Sequence, residues 1–448
     1  MFIFTECMTR NKYIFLEREV EMENNSKHLK TSFNKWLIYI YIILYFIIIQ
    51  SGSVQLSIIN ENGQSKNYAI CLLVFLLPFC IIELKKFKQE YIRIVTVLIF
   101  FMMIDIIKYP DSLVSLVMKS LWFLGFIGFA AYWRKRKINI IHHFSMIVTI
   151  LAIISLILWF AVSILGSSRI TFTNYEIADT VYYSWHNLFS YTPFYYTDFM
   201  GMNIYRLQGL FWEPGVYQLY LNLAIYHYFF EEKPHENIIK LVILYLNLIL
   251  TMSTTGLCIG IMLLTIYIIN LKLFKKSRQL MILIGGVLAC AGCAYFLGQK
   301  MLASMQLGWH GSMAARIDDQ IVALKLFSQN FLLGAGYDNG QMFLDAQGWG
   351  RGCTSGLLSW AYMMGIFGLI AVLYPFIKNI VNAIDETTKR KRMILFMIFV
   401  ICNLSEPLFW APLNWYWVAS EYVKLFYERR KLNESKWEEN SLYWSEIF

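Results

Sequence analysis

Long apolar runs, each bounded by charge, recur along this chain from about residue 36 to residue 427. A bilayer core of ~30 Å takes about 20 apolar residues as one helix. A helix can cross it because it satisfies its own backbone polar groups where no water is present. Twelve runs approach that length: 36–56, 68–84, 91–107, 112–133, 138–166, 213–230, 238–252, 256–274, 280–298, 354–377, 393–408 and 412–427, the seventh, eleventh and twelfth being short. Repetition at this spacing predicts an all-α polytopic membrane protein with about 12 transmembrane helices. Composition agrees, since only 15% of the 448 residues are charged, where a soluble chain carries about 25%. That shortage excludes a cytosolic enzyme, a nucleic-acid-binding protein and a disordered linker. The net charge of +9 does not point to nucleic acid, because the basic residues are scattered between apolar blocks rather than gathered on one face.

Lys and Arg collect on the cytoplasmic side of membrane proteins. With the N-terminus inside and twelve alternating spans, 30 of the 39 basic residues fall in inner segments, eight in outer ones, and Lys119 within a span. The chain then divides into a cytoplasmic segment (1–35), five spans (36–166), an external loop (167–212), four spans (213–298), a large external loop (299–353), three spans (354–427) and a cytoplasmic tail (428–448). Both termini are expected inside. The clusters Arg134–Lys137 and Lys389–Arg392 read as topology anchors. Lys119 either belongs to a polar pathway or snorkels to the interface.

Residues 1–35 lack the apolar core and small-residue site of a cleavable signal peptide. Met22 opens a segment suited to lead into the first span, so residues 1–21 are expected to be dispensable. Eight cysteines sit mostly in spans or inner segments and predict no disulfide framework. Cys290 and Cys293 form a CxxC inside an apolar run rich in Gly and Ala; close helix packing accounts for it better than metal or redox chemistry.

Two outer segments exceed the length at which loops are usually idle. The first, 167–212, carries twelve aromatic rings between Phe172 and Tyr205. These suit either a groove that stacks on sugars or an interfacial aromatic belt. It ends in Arg206-Leu-Gln-Gly209-Leu-Phe-Trp-Glu213-Pro214-Gly215. Pro214 fits the first turn of a helix, which makes Glu213 its cap, with the carboxylate toward the unpaired N–H groups. In the second segment, residues 312–328 read as an amphipathic helix lying along the membrane surface, with Ile317, Ile321 and Leu324 on its apolar face. Gly334 to Gly340 then turns the chain back. A pyrophosphate handled on this face needs concentrated positive charge, which guanidinium supplies by bidentate bonding. Arg206, Arg316, Arg351 and Lys325 are four of the six Lys and Arg in these two segments.

The block from Arg206 to Gly215, entering a membrane helix, resembles the signature region of the O-antigen polymerase and O-antigen ligase superfamily. Leu250-Thr251-Met-Ser253-Thr-Thr-Gly256 is similar to the family's turn between two helices. The stretch from Arg316 through Asn330 to Gly336 resembles its large external loop, and Ser355 to Gly368 the start of the helix that follows. These blocks occur in family order from about 206 to 370, while the first five spans match in hydrophobicity only.

The resemblance implies a GT-C-like glycosyltransferase that moves a glycan from undecaprenyl pyrophosphate on the outer side of the bacterial cytoplasmic membrane. Implied with it are a lipid-linked oligosaccharide as substrate, membrane lipid and a chain-length regulator as partners, no nucleic acid, no cofactor and no metal. Arg206 and Arg316 would hold the pyrophosphate and stabilise the leaving group. Glu213 is the first choice of general base for the acceptor hydroxyl and His310 the second. The family's ligases carry a histidine where this chain has Gly352-Cys353-Thr354, which favours a polymerase of O-antigen, capsule or exopolysaccharide over a ligase of lipopolysaccharide. The arginine of the family's inter-helix turn is Thr254 here. A flippase of lipid-linked oligosaccharide is the reading from another class; such transporters more often show internal repeats and mid-helix charges.

Overall fold

A computed structural model describes residues 38–55, 65–165, 172–177, 180–192, 196–199, 202–270, 312–348 and 352–445, with isolated positions between 284 and 295. Helix dominates. The first helices are α1 (Ile38–Ile49), α2 (Ser65–Leu84), α3 (Lys88–Lys108), α4 (Leu113–Lys135) and α5 (Ile140–Phe160). After a β-rich segment come α6 (Pro214–Phe230), α7 (Ile238–Leu250) and α8 (Thr254–Asn270), then α9 (Ser312–Gln329) and α10 (Gly340–Gln347). Last are α11 (Gly356–Val381), α12 (Glu386–Ser405) and α13 (Pro412–Ser445). A helix falls at each expected span outside 280–298, most of which lies beyond the described residues. Among the described residues, four stretches are long and apolar enough to cross a membrane: Asn67–Leu84, Pro110–Lys135, Ile140–Ser163 and Gly356–Val381. Shorter apolar helices are α1, α7 and α8. The last helix runs to Ser445, through most of the segment read as a tail.

The bundle is built around α6, every residue of which is buried. A helix apolar all round belongs in the interior, and Leu219, Leu221, Ala224 and Ile225 meet neighbours on all sides. Asn222 donates to the Gln218 Oε1 at 2.9 Å and to the Gly256 carbonyl of α8 at 3.2 Å. α2 and α4 approach closely at Gly128, where a Cβ would come within 2.5 Å of the Cys80 backbone nitrogen. Small residues permit such contacts between apolar helices.

The segment read as an aromatic loop contains strands instead. β1 (Thr173–Ile177), β2 (Thr180–Trp185) and β3 (Phe189–Tyr191) form an antiparallel sheet in that order, and β4 (Tyr196–Phe199) pairs with β5 (Met202–Tyr205). Thr, Val, Tyr and Trp favour a pleated, half-buried surface. The β2–β3 turn places His186 and Asn187 at positive φ, a conformation that matches strand twist and suits Asn. Tyr183 and Tyr191 stack on each other with centroids 4.9 Å apart, so part of the aromatic surface is satisfied within the sheet.

α9 turns Ile321 and Leu324 away from the protein, while Asp319, Ala323 and Leu326 are buried. Asp319 accepts hydrogen bonds from the Gln347 side chain and from the Thr354 N–H at 3.2 Å. An apolar face left exposed by the protein suits a helix lying against a membrane surface.

α11 is broken at Gly365, whose φ is +66°. The carbonyls freed there are used at once. Ala335 N–H donates to Tyr362 O at 2.9 Å and Gly336 N–H to Met363 O at 3.0 Å. The glycine-rich turn after α9 is thereby docked on the broken helix, and Tyr337 N–H continues to Asp105 Oδ1 at 2.6 Å.

Candidate functional site

Residues 206–215 thread between two helix ends. Val54 N–H donates to Leu210 O at 3.1 Å and Trp212 N–H to Gly52 O at 3.2 Å, which fixes the strand against the end of α1. Leu207 N–H donates to Leu250 O at 2.9 Å at the C-terminus of α7. Arg206 follows the same direction: its Nε donates to Thr251 O at 3.0 Å and its Nη2 reaches Met252 O at 3.4 Å. A cation at a helix C-terminus is favoured by the helix dipole. Two of the blocks quoted above, separated by some 40 residues, thus meet through this one side chain.

Glu213 occupies the cap position of α6 with extended backbone, φ −138° and ψ 146°, as the residue before a proline should. The position is as read from sequence, but the interaction is not. Its side chain makes no capping hydrogen bond; the Oε2 lies 3.9 Å from Arg316 Nη2 instead. α9 delivers Arg316 to this point, and the guanidinium is 28% exposed against 38% for Glu213. Burial, and then the Glu213 charge, pushes the nearby Tyr182 of β2 up to about 12.

The principal partner of Arg316 is Glu406, a residue the sequence reading passed over. Glu406 follows the last turn of α12, with φ −136° and ψ 146° before Pro407, nearly the backbone of Glu213 before Pro214. Its Oε1 accepts from Arg316 Nη1 at 3.2 Å and Nη2 at 3.3 Å. The side chain is 2% exposed, and its Oε2 has no hydrogen-bond partner among the described residues. Arg206 also interacts electrostatically with this carboxylate.

Two helix starts enclose this carboxylate. Gly215, in the first turn of α6, leaves no room for a side chain, because a Cβ would lie 2.1 Å from Glu406 Oε1. At the start of α11, Gly356 N–H donates to Glu406 O at 3.1 Å. The N-terminal ends of helices carry partial positive charge, so the field of α6 as well as the Arg316 guanidinium favours the carboxylate, while the Gly356 N–H fixes the Glu406 backbone. From the same turn Phe409 lines an apolar cavity of about 190 Å³ shared with Trp360, Trp415 and Phe123.

Of the residues singled out from sequence, the structure brings Glu213 and Arg316 together, with Arg206 close by. Lys325 stands apart. It is exposed and lies nine residues beyond Arg316 on α9, about two and a half turns, hence on the opposite side of that helix. Arg351 and His310 lie outside the described residues. Cys290 and Cys293 do as well. Lys119 is tied into the protein, its Nζ donating to Trp410 O at 3.2 Å and lying 4.0 Å from the Trp122 ring.

At the other end of α6, His142, His227 and Glu232 bring three groups that can ligate a metal within 4.8 Å of one another. Glu232 Oε1 already meets both rings, His227 Nε2 at 2.9 Å, and Oε2 accepts from Asn237 Nδ2 at 2.9 Å. The set ties α5 to the α6–α7 turn.

In comparison with known proteins, no family model matches the chain and no curated protein matches its sequence.

Proposed function

We propose that this chain is a polymerase of a lipid-linked cell-surface polysaccharide, transferring the growing glycan from undecaprenyl pyrophosphate to a lipid-linked repeat unit on the outer side of a bacterial cytoplasmic membrane. The observation that carries this reading is the meeting of Arg316 with Glu213 and Glu406 at the start of α6, beside Arg206. Of the four cations picked out by their scarcity, Arg206 and Arg316 both act on the Glu406 carboxylate although 110 residues separate them, and this supports the reading. The motif blocks that resemble the polymerase and ligase superfamily also pack on one another, Arg206 on Thr251 and Gly336 on Met363, which supports the same reading.

The chemistry is glycosyl transfer with inversion. The acceptor hydroxyl oxygen forms a bond to the anomeric carbon as the bond from that carbon to the phosphate oxygen breaks, its electron pair leaving with the pyrophosphate. Glu213, the more exposed carboxylate, takes the hydroxyl proton. Arg316 and Arg206 face the charge that develops on the leaving pyrophosphate. Glu406 is a positioning residue, holding the guanidinium through one oxygen. The apolar cavity beside Phe409 suits part of the prenyl chain.

Arg206→Ala and Arg316→Ala are each expected to abolish long surface glycan while single-repeat material remains attached, read by electrophoresis of the surface polysaccharide. Long chains persisting in both variants would falsify the assignment. A cysteine-accessibility scan of residues 180–192 supplies the orientation; labelling from the cytoplasm alone removes the mechanism.

A further inference from the structure

The basic clusters read from sequence as topology anchors are not spread along one face. They converge. Arg134 and Lys137 at the end of α4, Lys391 and Arg392 in α12, Lys424 in α13 and Lys86 before α3 line one cavity of about 990 Å³. Its acidic lining residues are Glu231 and Glu428. Six cations thus face two carboxylates. Glu421, which pairs with Lys424 at 2.5 Å from behind the wall, reduces the excess to three positive charges. Arg392 is held by Glu428 at 2.7 Å, and Lys391 lies 3.9 Å from Glu231. Arg134 lies over the Tyr427 ring, 5.6 Å from its centroid.

Orientation in a membrane explains why cations collect at this end of the bundle. It does not explain why four segments, up to about 340 residues apart in sequence, aim them at one concavity. An anchoring cation needs only water or a lipid surface, whereas cations grouped around a cavity repel one another unless an anion enters. Tyr416 and Tyr226 also line the wall, the Tyr226 hydroxyl donating to Glu231 at 3.2 Å. The volume lies at the upper end of the range of small-ligand sites, about 300–1,000 Å³. We propose that this cavity binds a phosphate-bearing polyanion, either the headgroup of an anionic lipid or a soluble pyrophosphate-like species. Basic pockets between membrane helices recognise such headgroups by charge and hydrogen bonding. The site lies at the opposite end of α6 from the glycan-transfer site and stands independently of that reading.

The test uses the full-length protein. In one arm, delipidated protein is offered equimolar cardiolipin and phosphatidylcholine, and retained lipid is counted by native mass spectrometry. In the other, inorganic pyrophosphate is titrated in detergent by calorimetry. Preference for cardiolipin of tenfold or more assigns the site to a headgroup; saturable pyrophosphate binding assigns it to a soluble anion. Either result supports the proposal, and Arg134→Gln combined with Lys391→Gln is expected to weaken it at least tenfold. Lys137→Asn serves if that pair fails to fold, since Lys137 is exposed and Asn tolerates its positive φ; wild-type binding must also weaken with salt. No lipid preference together with no pyrophosphate binding overturns the proposal, as does binding that a folded variant and added salt leave unchanged.

Discussion

The two ends of α6 manage charge in contrary ways. At its Pro214 end, two arginines and two glutamates lie together, with Glu406 almost fully enclosed. At its Glu231 end, about 25 Å away for a 17-residue helix, six cations surround an open cavity with two acids on its wall. The first region carries its own counterions, which keeps Arg316 in one place at a known orientation. The second pairs three of its six cations internally and keeps a net positive charge. A site that positions reacting atoms needs the former; one that captures an anion by charge needs the latter.

The sharpest way to break this contrast is to remove the internal counterion. Arg316→Ala leaves Glu406 buried without its partner, and losing one member of a buried ion pair costs about 3–5 kcal/mol. Long glycan is expected to disappear and thermal stability to fall. Arg316→Lys separates the two effects. It keeps the charge but loses the fork that reaches one oxygen through two nitrogens, so a near-normal melting temperature with at least a hundredfold loss of polymer is expected. Normal polymer in the lysine variant would show that charge alone suffices and that fixed orientation is not what distinguishes this end.

Gly215→Ala acts on the same contact without touching a charge. The new Cβ would sit 2.1 Å from Glu406 Oε1, so the carboxylate must move and Arg316 with it. Displacements of about 1 Å can cost on the order of a hundredfold in rate, and overpacking costs about 1–3 kcal/mol. Polymer is expected to fall by tenfold or more, measured by the same electrophoresis, with all four charged residues intact.

Arg206 and Arg316 were legible because cations are scarce in the segments read as external, where they stood out against an apolar background. Glu213 stood out before a proline at the start of an apolar run. Glu406 has the mirror signal, a Glu-Pro pair at the end of one, but it fell inside the run 393–408 and was absorbed as helix. An ionisable residue within an apolar span is a functional candidate by default, and that rule would have found it. The helices were legible from run length, whereas the strands of 173–205 were hidden because an aromatic-rich stretch without long apolar runs reads as loop. For α9 the sequence marked the apolar side of Ile321 and Leu324 but not the buried side of Asp319 and Ala323. Helical periodicity marks two faces, and which one turns inward depends on whether the surroundings are water or lipid and protein.

At the opposite end, Arg134→Gln with Lys391→Gln is expected to leave polymer length within about twofold of wild type while anion retention falls at least tenfold. This pair of readouts checks that the two ends are separable. A matching loss of polymer would couple them, and the contrast would become one of two halves of a single device.

The smallest effect is expected at Lys325, and it bears on the reason why cations matter at the Pro214 end. Scarcity marked Lys325 as readily as Arg316, since both lie in the same outer segment and now on the same helix. Half a turn of phase separates them: Arg316 faces two carboxylates, and Lys325 is exposed on the far side. An exposed lysine contributes little to stability, with surface substitutions usually within about 0.5 kcal/mol. Lys325→Ala should therefore leave both the melting temperature and the glycan ladder within about twofold of wild type. If instead it shortened the glycan as strongly as Arg316→Lys, the positive charge of the outer segment as a whole would govern the reaction, and the enclosed pair would lose its special place.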